Sequence, residues 1–254
     1  MNIKHMNTGQ CIWCRRKFPE VTFNSAPHIL PKALGGLDIG CDVCDECNHY
    51  FGTATKGKPN IDLTFKEIFG VFRFFCQDLK VNSHRKFSSV FFDYFYSRQT
   101  IRIKPNFNSS ILTLQFKKAL YNVFLQKYHH VTGNGNHPMF DMVRAFTRYD
   151  IGQPHVCYAF NNVILAPVDK TNPSLLINDT IIDRMMESGI FDFSLFGHSF
   201  FLEVLPIAYH KNGFGYLQKQ ANTLLIPAAG NESIFEFSDI MQIDFLMQRF
   251  NRNK

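Results

Sequence analysis

The sequence lacks the features that would place it in a membrane or a secretory compartment. It has no apolar run approaching the length of a bilayer span, so we expect no membrane partner. Its opening residues, MNIKHMNTGQ, are polar and hold no secretory apolar region. Its seven cysteines are odd in number, and five of them fall within the first 47 residues, which argues against a disulfide framework. We therefore expect a cytoplasmic protein whose clustered cysteines bind a metal.

Repeats and low-complexity tracts are also missing, which favours a folded globular chain. The 254 residues fit one large or two modest domains, and the hydrophobic content of 45%, with 28 phenylalanines, is ample for a core. The net charge of +6 fits a polyanionic partner, although many proteins without such a partner share that balance.

The chain divides at a polar, Gly- and Pro-containing loop over 53–60. We expect an α+β protein with a small metal-stapled module in residues 1–60 and a larger mixed α+β body in residues 61–254, which would recognise a target or form a dimer. The patterns predict helices at 62–79 with Asp62 as N-cap, at 117–131, 137–149 and 181–188, and a short one after Phe237. They predict strands at 89–96, 100–104, 111–116, 156–167, 191–196, 199–209 and 221–228, with a hairpin between the second and third.

Two CxxC pairs dominate the first module. Cys11/Cys14 and Cys44/Cys47 are 29 residues apart, and four thiolates in two such pairs close a tetrahedral zinc site. Cys41 lies three residues before Cys44, so the stretch CDVCDEC offers two overlapping CxxC pairs. Zinc bound by four cysteines is coordinatively closed, so any chemistry would come from other residues.

The motif order in this module resembles that of the HNH endonucleases, a branch of the ββα-metal nucleases. CxxC is followed by H-x-x-P-x-x-L-G-G and then by C-x-x-C-N, over about 42 residues. The matched positions are Cys11, Cys14, His28, Pro31, Leu34, Gly35, Gly36, Cys44, Cys47 and Asn48, with Phe51 and Gly52 continuing the pattern.

The resemblance implies a β-hairpin followed by a helix, stapled by structural zinc on Cys11, Cys14, Cys44 and Cys47. His28 would lie on the first strand, the glycine pair would open the connecting loop, and Asn48 would begin the helix. In that family the histidine acts as general base toward a water that attacks a phosphodiester, beside a divalent ion such as Mg²⁺. By the same match Asn48 would be a ligand of that catalytic ion.

The implied function is metal-dependent cleavage of DNA, by family analogy in restriction or phage defence. One such site cuts one strand, so a double-strand break would require two subunits, as in a homodimer, or two encounters. RNA as the substrate has no separate support in the sequence.

Two departures from the family pattern concern the catalytic ion. Pro27 stands where an acidic or histidine ligand commonly precedes the motif histidine, and an expected asparagine before the second CxxC is absent. A carboxylate from Glu20, Asp62 or Glu67 would complete the ligand set, because Mg²⁺ favours carboxylate oxygens. The alternative is a non-catalytic zinc-knuckle protein that binds DNA or a protein. In it His28 is structural and Asn48 is a helix N-cap.

Basic residues elsewhere give weaker indications. Candidate phosphate contacts are Lys32, Lys80, Arg85 and Lys86, with a solvated turn as the alternative for the last three. Lys117, Lys118, Lys127, His129 and His130 share a predicted helix, for which a solvated face is expected. Arg144 and Arg148, four residues apart, would grip a phosphate or cover the edge of the core, and we expect Cys157, His198 and His210 to be structural.

Overall fold

The computed structural model describes residues 5–55, 57–77, 86–98, 100–160, 175–206, 213–224 and 234–245. Its helices are α1 (Asp45–Gly52), α2 (Ile61–Gln77), α3 (Ser109–Thr132), α4 (Asp141–Tyr149), α5 (Asp179–Ser188) and α6 (Gly213–Leu224). Its strands are β1 (Lys86–Ser88), β2 (Phe92–Phe95), β3 (Thr100–Ile103), β4 (Val156–Phe160), β5 (Ile190–Leu195), β6 (His198–Glu203) and β7 (Phe235–Glu236). None of the helices in these ranges is long and apolar enough to cross a bilayer.

The strands form two antiparallel sheets. One is a three-stranded meander in the order β1-β2-β3, and the other has the order β5-β6-β4-β7. With six helices around them, these sheets confirm the α+β class.

Aromatic packing between α2, α3 and the four-stranded sheet forms the centre of the core. The ring of Phe116 on α3 lies 5.4 Å from that of Phe69 on α2 and 5.4 Å from that of Phe200 on β6. Buried residues from Cys11 to Phe245 belong to one contiguous apolar cluster, so the metal module and the body share a core. The boundary near residue 60 stays a prediction.

The predicted strand at 111–116, and with it the hairpin, is wrong. That stretch begins α3, where the Asn108 side chain caps the helix by accepting the Ile111 N–H at 3.0 Å. Polar residues occupy buried positions of this helix and obscure its period. Thr113 is buried because its hydroxyl donates to Ser109 O at 2.7 Å and accepts the Ile240 N–H at 2.7 Å.

Two smaller expectations also differ from the structure, and a third falls largely on residues that it does not describe. Residues 221–224 end α6 instead of beginning a strand, since a short apolar run does not distinguish the two, and 225–228 lie outside the described residues. Asn60, not Asp62, caps α2, because its side-chain oxygen accepts the Leu63 N–H at 2.6 Å. After Phe237, the described residues up to 245 contain a 3₁₀ turn, Ile240–Gln242, and residues 246–254 lie outside the described residues, so the helix expected there stays a prediction.

The helices expected at 62–79, 117–131, 137–149 and 181–188 are confirmed as α2, the later part of α3, a 3₁₀ turn leading into α4, and α5, with residues 78 and 79 outside the described residues. In the HNH-like segment, the two strands are reduced to a single antiparallel bridge between His28 and Ile39. A 3₁₀ turn, Lys32–Leu34, lies between them and α1 follows.

Candidate active site and cysteine cluster

The four cysteines of the two CxxC pairs come together at the start of α1. Their Sγ atoms all lie within 4.8 Å of one another, and those of Cys14 and Cys44 are 3.7 Å apart. Four sulfurs at about 2.3 Å from a tetrahedral zinc would be separated by about 3.8 Å, so the cluster fits that ion. Cys41 is not part of it.

Backbone hydrogen bonds shape both ends of the cluster. The Arg15 N–H donates to Cys11 O at 2.9 Å, and Arg15 itself has a left-handed φ of 61°, which turns the first CxxC back on itself. Cys44 is the N-cap of α1, and its N–H donates to the Cys11 sulfur at 3.4 Å. This hydrogen bond from the Cys44 backbone connects the two CxxC pairs directly.

His28 lies on the first arm of the reduced hairpin. Around the His28–Ile39 bridge, the Gly40 N–H donates to Pro27 O at 2.7 Å and the Ile29 N–H donates to Asp38 O at 3.1 Å. The imidazole is partly exposed, and its Nδ1 is shielded from solvent without a hydrogen-bond partner among the described residues. Burial, and then the positive charge of Lys32, lower the pKa of His28. The ring is therefore neutral at pH 7.

The turn after His28 requires both glycines of the motif. Gly35 ends the 3₁₀ turn with a left-handed φ of 92°, and a Cβ on Gly36 would lie 2.1 Å from Leu30 O. The guanidinium of Arg73 on α2 donates to the carbonyls of Ala33 and, at 3.4 Å, Lys32. Sequence reasoning did not single out Arg73, because its partner is a backbone carbonyl 40 residues away.

Asn48 lies one turn inside α1, and its N–H donates to Cys44 O at 2.9 Å. The expectation that it begins the helix is wrong, as is its alternative role as the N-cap, because Cys44 takes that position. Its carboxamide is partly buried and forms no hydrogen bond with the described residues. The adjacent His49 is exposed and contacts the Thr53 hydroxyl at 3.3 Å.

The three carboxylates considered as ligands of the catalytic ion differ in how far their oxygens already have hydrogen-bond or ion-pair partners. Glu67 uses both oxygens: one accepts the Val90 N–H at 2.8 Å and the other pairs with Lys66 at 3.0 Å. Glu20 is exposed, with one oxygen 4.0 Å from the Arg16 Nε. Asp62, in the first turn of α2, forms no hydrogen bond or ion pair with the described residues. Its carboxyl reaches solvent, yet crowding by neighbouring atoms raises its pKa to about 6.

Helix α3 supports the return arm of the hairpin through alternate residues of that arm. Lys127 pairs with Asp38 at 2.6 Å, and His129 pairs with Asp42 at 3.0 Å. Between them, a Cβ on Gly40 would meet the Gln126 side-chain oxygen at 2.7 Å. Alternate residues of an extended segment face one side, so 38, 40 and 42 all face α3.

Buried polar groups surround the His129–Asp42 pair. Asp42 also accepts the N–H groups of Asn7 at 2.9 Å and Thr8 at 2.7 Å, and His129 Nδ1 accepts the Gly135 N–H at 3.0 Å. Burial would raise the pKa of Asp42, but the hydrogen bonds from His129 and Thr8 hold it below its usual range. Cys41 lies against this pair.

The expectation of a solvated basic face on this helix is wrong for His129 and for Lys118, both of which are buried. Lys118 is paired with Asp150, while Lys117 is crowded enough that burial lowers its pKa. Only His130 of that group is exposed.

The other basic candidates divide between surface and core. Lys32 is exposed beside His28, whereas Lys86 pairs with Asp93 at 3.1 Å within the first sheet. Lys80, Arg85 and His210 lie outside the described residues. Arg144 is buried and donates to Ile12 O at 2.7 Å, so it supports the core of the metal module.

His198 and Cys157 have the structural surroundings expected of them. His198 is fully buried, its Nδ1 lies 2.9 Å from the Tyr158 hydroxyl, and burial lowers its pKa to about 3. Cys157 lies on β4, where burial raises its pKa to about 12.

Comparison with known proteins agrees with the motif analysis. Residues 11–59 match a family model described as HNH endonuclease. This range contains the cysteine cluster, the hairpin and α1, so the predicted resemblance is confirmed for this part of the chain. No curated protein and no solved structure matches the chain.

Proposed function

Since residues 11–59 carry an HNH endonuclease module, we propose that the protein is a metal-dependent endonuclease that hydrolyses phosphodiester bonds in DNA. The state of His28 supports this proposal most directly. A buried histidine with a purely structural role satisfies its ring nitrogens by hydrogen bonds, whereas His28 Nδ1 has no partner among the described residues. Its lowered pKa keeps the imidazole available as a base at neutral pH.

In the proposed reaction, His28 accepts a proton from the water that attacks the scissile phosphate. Nδ1 is shielded from solvent, so Nε2 is the atom assigned to take the proton. The water oxygen bonds to phosphorus as the P–O3′ bond breaks, and the departing O3′ takes a proton from solvent, which leaves a 5′-phosphate and a 3′-hydroxyl. Lys32, exposed beside His28, supplies positive charge for the DNA backbone, and Arg73 keeps the turn that carries Lys32 in place.

We assign the catalytic divalent ion to the Asn48 carboxamide and the Asp62 carboxylate. Both groups are uncommitted among the described residues, whereas Glu67 is engaged and Glu20 lies near Arg16. An amide oxygen and a carboxylate are suitable donors for Mg²⁺. When bound, the ion supplies positive charge beside the phosphate that reacts.

We assign structural zinc to the cysteine cluster, because its sulfur separations fit a tetrahedral ion. Restriction or phage defence is the biological setting that we propose from the family, with a homodimer as the arrangement for a double-strand break.

The test is nicking of supercoiled plasmid by the purified protein with Mg²⁺, Mn²⁺ or Ni²⁺, compared with the variant His28→Ala. Loss of the general base should lower the rate by about 10²–10⁴-fold. His49→Ala is the matched control, because His49 is exposed and the hydrogen bond of its ring among the described residues is with the Thr53 hydroxyl. It should retain cleavage within about twofold.

Two results would contradict parts of this proposal. If the wild type does not cleave plain or modified DNA with any of these ions, the protein binds DNA or a protein without cutting, and Pro27 marks a decayed site. Cleavage that survives in His28→Ala would remove His28 from the mechanism while leaving the nuclease assignment in place.

A further inference from the structure

Arginine side chains cover the part of the cysteine cluster that the core leaves open. Cys11, Cys44 and Cys47 are fully buried, whereas Cys14 is partly exposed. Arg16 follows Cys14 by two residues, and Arg148 reaches the cluster from α4.

Arg148 lies across the side of α1 that carries Glu46, Cys47 and Tyr50. Its guanidinium carbon is 4.0 Å from the centre of the Tyr50 ring, and one terminal nitrogen is 3.6 Å from a Glu46 oxygen. Its Nε is shielded from solvent and has no hydrogen-bond partner among the described residues. A buried N–H of this kind needs an acceptor, and Cys47 lies on the same face of α1 as Tyr50, one helical turn before it.

Arg16 takes the corresponding position at Cys14. It pairs with the second oxygen of Glu46, so this one carboxylate holds both guanidinium groups.

When the cysteine cluster holds a divalent ion, its net negative charge would be balanced by these two arginines. Four thiolates around one divalent ion carry a net charge of about −2, and two guanidinium groups supply +2. N–H donors to metal-bound sulfur withdraw electron density from the thiolate and make it a poorer base, so it is less readily protonated and released from the metal.

We infer that Arg16 and Arg148 are donors to the thiolates of the metal-bound cluster and that they determine how slowly the metal is released. The inference rests on the proposed structural zinc. It also makes α4, which lies in the body, part of the metal centre.

The experiment measures zinc release from the full-length, zinc-loaded protein to an excess of a chromogenic chelator. Arg148→Gln and Arg16→Gln should each release zinc about tenfold faster than the wild type, in the range found when outer-shell partners of metal ligands are removed. Arg15→Gln is the control, because Arg15 pairs with Asp141 at 3.3 Å and not with a thiolate. It should release zinc at the wild-type rate.

A second control separates a direct effect from general destabilisation. Arg144→Gln removes a buried arginine of the same helix whose donors go to backbone carbonyls and Asp141. Each variant is measured at its own urea concentration, chosen so that the two have the same free energy of unfolding. Under these conditions Arg148→Gln should still release zinc faster than Arg144→Gln. Equal release from these two, or release from both Arg16→Gln and Arg148→Gln within twofold of the wild type, would overturn the inference. Protein purified without stoichiometric zinc would instead refute the zinc assignment, and neither result bears on His28.

Discussion

At the scale of single residues, the proposed chemistry depends on the protonation states of His28 and Asp62. His28 must be neutral to accept a proton, and its pKa is below the usual value of a histidine. Asp62 must be ionised to hold a cation, and its pKa is raised to about 6. Both groups therefore become competent as the pH rises, and both are competent at pH 7.5.

We predict that the cleavage rate falls on the acid side of about pH 6 and is flat above pH 7. Protonation of either residue removes activity, so the rate should drop about tenfold per pH unit at first and more steeply when both are protonated. A rate profile at saturating Mg²⁺ between pH 5 and pH 8 measures this. A rate that increases toward low pH would contradict the assignment of His28 as the base.

Asp62→Asn should raise the Mg²⁺ concentration needed for half-maximal cleavage by at least about tenfold, because a neutral amide is a weaker ligand than a carboxylate. Glu67→Gln is the matched control on the same helix. It should lower stability through the lost ion pair with Lys66 and leave the Mg²⁺ dependence unchanged. The reverse pattern would identify Glu67 as the ligand.

At the scale of secondary-structure elements, the hairpin that carries His28 is held by its turn and by α3. Its own ladder is a single bridge, so little of its stability comes from strand pairing. The position of His28 therefore depends on close contacts that a Cβ or a lost charge would disturb.

Gly36→Ala tests the turn. The added Cβ would lie 2.1 Å from a backbone carbonyl oxygen, so the turn must move, at a cost of about 2–3 kcal/mol in the free energy of unfolding. At Gly52, the last residue of α1, nothing lies within 4 Å of an added Cβ. Gly52→Ala should therefore be neutral or slightly stabilising in the same urea titration. Equal effects of the two variants would show that the turn is less constrained than its geometry implies.

His129→Leu tests the support from α3. It leaves the buried Asp42 carboxylate without the Nε2–H donor of His129, and we expect a loss of about 3 kcal/mol in the free energy of unfolding. His130→Leu, at the exposed neighbouring position, should change stability by less than about 0.5 kcal/mol. Adding Asp42→Asn to His129→Leu should recover part of the loss, since the residual penalty comes from the unpaired charge.

The sequence predicted what is local and missed what is distant. The cysteine spacing, the glycine pair and the motif histidine gave the metal cluster and the hairpin, because each depends on residues within one short segment. The pairing of Asp42 with His129 joins residues 87 apart, and the polar residues Thr113 and Gln115 are buried only because distant backbone groups meet them. Partners that are distant in sequence do not show in the apolar periodicity of a segment. The first part of α3 was therefore predicted as a strand and the later part as a helix with a solvated face.

At the scale of the whole molecule, the metal module is attached to the body by polar contacts as well as by the shared core. Arg144 Nε donates to Ile12 O at 2.7 Å, and the Asn136 side chain donates to the Thr8 hydroxyl at 3.0 Å. The module therefore completes its hydrogen bonds with residues far along the chain.

We predict that a fragment of residues 1–60 does not fold on its own, even with stoichiometric zinc, because it lacks α3 and α4. Its amide NMR spectrum should stay narrow in dispersion, whereas the full-length protein should show the dispersion of a packed domain. A well-dispersed spectrum of the zinc-bound fragment would instead establish residues 1–60 as an independent domain.

The order of these contacts along the chain has a consequence during synthesis. Cys47 leaves the ribosome about a hundred residues before Arg144, and at about 5–20 residues per second that interval lasts roughly 5–20 s. Throughout it the nascent chain carries four adjacent thiols and an acidic Asp42 whose partners on α3 and α4 have yet to be made. A metal ion can close the thiols as soon as Cys47 emerges, so the supply of zinc at the ribosome, and not only the final fold, bears on how much of this protein matures.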